Sequence, residues 1–141
     1  MTRVQRSLLL VFAVGVAVPC VSFQAWAIIP TIGHKEFCDA TRAELKTLAE
    51  KRPPDVTPRQ WDEVVFWTLN LHANCIMSNM RMPRAERAKF LAELRERLSG
   101  PVDLKTIDWI WDEVVRLSPG CGKTYSERHR PTTPERLREY R

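Results

Sequence analysis

The chain predicts an all-α fold: a small up-down bundle of four helices, built as two antiparallel helical hairpins. Three observations predict it. Between residues 31 and 118, apolar residues recur at spacings of three and four, and no window alternates with the period of a strand. Four such stretches are divided by short breaks rich in proline and glycine, and short connections make consecutive helices antiparallel neighbours. Trp61-Asp62-Glu63-Val64-Val65 also returns 50 residues later as Trp111-Asp112-Glu113-Val114-Val115, a spacing that suits a duplicated hairpin.

The first helix is expected from Gly33 to Lys51, with His34, Cys38, Thr41, Leu45 and Leu48 on one stripe. Pro53 and Pro54 cannot continue it. The second has the clearest start in the chain: Thr57 as N-cap, Pro58 at the first helical position, and Gln60 completing a capping box. It is expected to run to about Met80, with Trp61, Val64, Val65, Thr68, Leu71, His72, Cys75 and Ile76 facing inward. Phe66, Trp67 and Leu69 make it apolar nearly all round, which predicts a central position.

Pro83 opens the third helix, whose inner stripe is Phe90, Leu91, Leu94 and Leu98. Its remaining positions, Arg84, Glu86, Arg87, Lys89, Glu93, Arg95, Glu96 and Arg97, read as a solvated face of opposite charges. Ser99-Gly100-Pro101 stops it. Asp103 caps the fourth helix, which carries Leu104, Ile107, Trp111, Val114 and Val115, with Ile110 and Leu117 beside them. Ser118-Pro119-Gly120 ends that helix. The polar, proline-bearing remainder reads as a mobile tail, with a short last helix from Pro134 to Tyr140 capped by Thr133.

Ahead of this body stands an export signal. Arg3 and Arg6 precede an uncharged run from Ser7 to Val18, and Ala25-Trp26-Ala27 offers small residues at both positions a signal peptidase reads. The run is shorter than the roughly 20 apolar residues a membrane span needs. The expected division is a signal over 1–27, a helical domain over 28–121 and a flexible basic tail over 122–141, in a periplasmic or extracellular protein. An uncleaved segment would instead tether the domain to a membrane. Acylation of Cys20 is disfavoured, since Val18-Pro19 precedes it where lipoprotein signals carry small residues.

Charge then excludes one class of partner. Residues 28–121 hold 14 Lys or Arg against 14 Asp or Glu, while 122–141 hold 6 against 3. A neutral body with a mildly basic tail lacks the basic face of a nucleic-acid binder.

Loss of Cys20 with the signal leaves Cys38, Cys75 and Cys121. In an antiparallel first hairpin Cys38 and Cys75 come level, which predicts a Cys38–Cys75 disulfide in an oxidising compartment. Closing its 37-residue loop would contribute about 4 kcal/mol from lost chain entropy. Cys121 falls at the same end of the bundle and could pair with Cys75 instead. Under the favoured pairing Cys121 is the spare thiol, free or available for an intermolecular bridge. The alternative use of these residues is a metal site, in which His34, Cys38, His72 and Cys75 would surround a tetrahedral zinc.

Little in the sequence points to catalysis. No serine lies in a nucleophile elbow and no glycine-rich phosphate loop is present; a Cys–His pair would need a depressed thiol pKa. Trp61 and Trp111 fall on core stripes, whereas Trp67 and Trp109 fall off them. Tryptophans so placed can anchor a partner, or can pack against the tail or a neighbouring helix. Taken together, the residues predict an exported, disulfide-stabilised helical protein that binds a protein partner, with no cofactor and no enzymatic activity. A periplasmic metal-binding protein is the alternative, and a thiol-dependent enzyme comes after it.

Overall fold

A computed structural model describes residues 31–78 and 82–141. The export signal over 1–27 lies outside the described residues. Within them the protein is helical throughout, with no strand. None of the described helices is long and apolar enough to cross a membrane.

Helix α1 spans His34–Lys46 and passes directly into a 3-10 turn over Thr47–Glu50. Helix α2, Pro58–Leu71, begins with the expected capping box: the Thr57 hydroxyl accepts from the Gln60 amide, and the Gln60 side chain accepts from the Thr57 amide. Its last turn widens into a π-helical turn over His72–Ile76, where the Met77 amide reaches back to the His72 carbonyl. Helix α3 runs Arg84–Leu98, following Pro83. Helix α4 runs Leu104–Leu117, with the Asp103 carboxylate accepting from the Thr106 amide at 2.8 Å.

Helix α1 packs against α2 and α3, and α4 packs against the same two helices from the other side. The core between them contains Phe37, Leu45, Leu48, Trp61, Val64, Leu71, Phe90, Leu94, Ile107, Ile110, Trp111 and Val114. Both repeated tryptophans are buried and both indole N–H groups are satisfied, Trp61 by the Leu48 carbonyl at 2.7 Å and Trp111 by the Thr68 hydroxyl at 3.1 Å. The two pentapeptides match position by position. Tryptophan and the first valine are buried, the aspartate is exposed, and the glutamate and second valine are half-buried. Helical periodicity is therefore sufficient to explain the repeat.

Two expectations need correction. Arg87 belongs to no solvated face: it is only 5% exposed, on the side of α3 that meets the rest of the protein. The larger correction concerns the region after Ser118. The expected loose tail is a helix, α5, over Pro119–His129, followed by a short α6 over Pro134–Glu139 whose Thr133 cap accepts from the Arg136 amide. Proline at position 119 starts a helix as readily as it stops one, because its missing N–H falls where no helical partner exists.

Helix α5 lies along α4 and reaches α2 and the π turn. Gly122 makes that approach possible. A Cβ there would stand 2.8 Å from the Val114 carbonyl oxygen and 2.8 Å from the Val115 Cα, both backbone atoms that cannot turn aside. Beyond α5, Arg130 pairs with Asp108 at 2.9 Å and Asp112 at 2.8 Å, and the Gln60 amide donates to the Leu137 carbonyl at 2.6 Å. Tyr125 and Leu137 pack onto the core.

Gly122→Ala is accordingly expected to lower stability by about 1–3 kcal/mol, the usual range for an overpacked contact. Denaturant unfolding of the two proteins measures the difference.

Candidate functional site

The cysteines are arranged differently from the favoured reading. The disulfide joins Cys75 to Cys121, with Cα atoms 5.5 Å apart, and Cys38 is the free, buried cysteine among the described residues. The hairpin argument nevertheless carried Cys38 to the right level. His72 donates from Nε2 to the Cys38 carbonyl at 3.1 Å, so Cys38 does lie beside the turn that bears Cys75. Two features lay outside that argument. A π turn advances each residue through a smaller angle than an α turn, so Cys75 lags the stripe carrying Val64, Thr68 and Leu71. Helix α5 then delivers Cys121 to it, so Cys121 is not the spare thiol. Closure of the bridge across a separation of 46 residues contributes about 4 kcal/mol from lost chain entropy.

The zinc arrangement is not assembled. Cys75 is consumed by the disulfide, and His72 Nε2 is committed to the Cys38 carbonyl. No group of three or more His, Cys, Asp or Glu is placed to hold a metal among the described residues. What remains is a small polar cluster at the start of α1. His34 Nε2 donates to the Met77 carbonyl at 2.8 Å and lies 3.6 Å from Cys38 Sγ, while its buried Nδ1 has no hydrogen-bond partner. Burial pushes the Cys38 thiol above the ordinary cysteine range, against the opposing pull of the Arg87 guanidinium. Burial likewise lowers the pKa of His72, outweighing its hydrogen bond to the Cys38 carbonyl.

Trp67 and Trp109 are half-buried, and each packs within the protein. Trp109 stacks on Phe90 with ring centroids 5.6 Å apart, and the Arg97 guanidinium lies 4.3 Å from its ring centroid. Trp67 stacks almost parallel on His129 of α5, at 4.6 Å and 8°. Tyr125 closes on the same histidine at 4.7 Å. On the other side of Trp67 stands Phe66, edge-on at 5.1 Å and 81°, and Phe66 is 54% exposed.

Phe66, Tyr125 and His129 were not singled out from the sequence. For Phe66 a signal existed: it lies off the inner stripe of α2, where an apolar residue gains nothing from the core. Tyr125 and His129 become visible only once α5 is known to fold back.

Both acids of the second pentapeptide pair with arginines. Asp112 pairs with Arg130, and Glu113 pairs with Arg116, which also reaches Glu86 of α3 at 2.9 Å. These contacts are largely solvent-exposed and contribute little each. Comparison with protein families, with curated proteins and with solved structures finds no match to this chain.

The two indole environments predict unequal costs for the same change. Trp61→Phe removes one of the two donors to the Leu48 carbonyl, the Lys51 amide remaining at 3.0 Å, and leaves a void in the core, and should cost roughly 1–3 kcal/mol. Trp67→Phe removes a buried N–H that has no partner, keeps a ring for stacking, and should cost less than about 1 kcal/mol. Equilibrium denaturation separates them.

A second expectation concerns pH. In the unfolded chain His72 takes a proton near its ordinary value of 6.5, whereas the folded protein resists it. The unfolded state then binds more protons, so stability falls as pH drops through 6.5. Thermal unfolding across that range should show the fall, with a shallower slope in His72→Gln.

Proposed function

We propose that this chain is an exported helical protein that acts by binding another protein, through the aromatic ridge where α2 meets α5. The observation that carries the reading is Phe66. A large aromatic side chain more than half exposed on a well-packed helix gains little by folding. It stands edge-on against Trp67, which also stacks flat on His129 and packs against the core. An aromatic ring held against a neighbouring ring loses little conformational freedom on binding, which is what makes such residues effective anchors. Trp67 thus supports the anchor, and Trp109 serves the packing of α3 on α4.

Export is supported by the Cys75–Cys121 disulfide, a bond that persists in oxidising compartments and rarely in the cytosol. A binding role in preference to catalysis is supported by the state of Cys38, the free cysteine among the described residues, since burial keeps its thiol protonated where an activated nucleophile needs a depressed pKa.

The test is capture from the exported fraction of the source cell by the folded, oxidised chain, compared with Phe66→Ala. A specifically retained protein whose affinity falls by about 30-fold or more in the variant, the loss expected of a hot-spot residue, is the predicted result. Retention unchanged by Phe66→Ala would refute the ridge as the binding surface.

A further inference from the structure

We propose that the Cys75–Cys121 bridge is exchangeable from within: Cys38 attacks Cys75, converting the bridge to Cys38–Cys75 and freeing Cys121 as a thiol in a surface cavity. This is independent of the partner reading, because every reacting atom belongs to this chain.

The geometry points to it from both ends of the bridge. Inside, α1 is fastened to the turn bearing Cys75 at two places that bracket that cysteine. The His72 ring donates to the Cys38 carbonyl, and the His34 ring donates to the Met77 carbonyl. The same His34 nitrogen lies 3.6 Å from Cys38 Sγ, so the thiol stands at the fastening between α1 and the Cys75 turn. Cys38 and Cys75 both belong to the buried core cluster, and Cys75 is fully enclosed.

Outside, Cys121 is half-buried and lines an open cavity of about 340 Å³ together with Tyr125, Arg128 and His129. A thiolate leaving at Cys121 therefore emerges into an open cavity and toward water, and a solvated leaving thiolate speeds exchange. The two sulfurs of the bridge thus differ in their surroundings, Cys75 being enclosed in the core that also holds Cys38 and Cys121 bordering the cavity.

The step balances without an oxidant. Cys38 gives up its proton to a base in solution, and its sulfur lone pair forms the new bond to Cys75 Sγ. The Cys75–Cys121 bond breaks with its electron pair on Cys121 Sγ, which then takes a proton from water. One disulfide and one thiol stand on each side. Because Cys38 is held protonated by burial, the rate comes from proximity and not from an activated thiolate, so the exchange is slow. Its consequence is mechanical. The covalent tie between the π turn and α5 passes to α1, and α5 is left with its noncovalent contacts alone.

Peptide mapping tests this directly on the full oxidised chain. The protein is held at mildly alkaline pH without added thiol, then acid-quenched, alkylated and cut with trypsin. The reacting cysteines fall on separate fragments, 36–42, 60–81 and 117–123, and Cys20 on a fourth, 7–35. The expected result is growth of a 36–42/60–81 linked species with matching alkylation of 117–123, at a rate independent of protein concentration and abolished in Cys38→Ala. The proposal is overturned if 60–81 stays linked only to 117–123. It is overturned equally if the rate rises with protein concentration, or if a 36–42/117–123 species forms as fast, since unfolding would then explain the exchange. A Cys121→Ser protein that remains helical should carry the Cys38–Cys75 bridge; two alkylatable thiols in its place would count against the proposal.

Discussion

The close approach of α5 to α4 at Gly122 is the contact on which the rest of this site depends. It is a backbone-on-backbone contact, and any side chain at position 122 would meet the Val114 carbonyl or the Val115 Cα before the helices could come together. With that approach made, Cys121 comes within bridging distance of Cys75, the His129 ring reaches the face of Trp67, and an open cavity forms along the surface of α5. Without it, the last 20 residues would have neither the apolar surface nor the length to stay in place. The disulfide and the stack thus follow from one missing methyl group.

The first four helices were legible in the sequence because each signal there is local. A capping box, an apolar period and a Gly-Pro stop act within one turn of where they are written, and the helix starts at Thr57 and Asp103 were confirmed atom by atom. The duplicated pentapeptide was legible for the same reason. Helix α5 was not, because its sequence, PGCGKTYSERH, is polar and holds two glycines. It is stabilised by what it packs against, and one of those glycines is an asset only in view of α4. Arg87 was misplaced because a charged residue in a charged run offers no local cue that it turns inward.

The candidate site shows the same division. Cys38, His72 and Cys75 were correctly brought to one end of the first hairpin, yet the pairing was decided by a π turn and by a helix that the periodicity does not reveal. Trp67 was correctly set apart from the core stripe. Its neighbours decide its role, and they come from chain segments more than fifty residues away as well as from Phe66 beside it. A surface aromatic set edge-on against a stacked indole, and a bridge whose π turn is hydrogen-bonded to the helix carrying a buried thiol, are features of the folded chain alone.

The account stands most directly on α5 being a docked helix and not a loose tail. Amide hydrogen exchange over residues 119–129 of the oxidised protein measures this. Protection comparable to that of α4, falling when the disulfide is reduced, is the predicted result. Exchange at unfolded-chain rates in the oxidised protein would contradict the placement of Cys121, the stack on Trp67 and the ridge that rests on it.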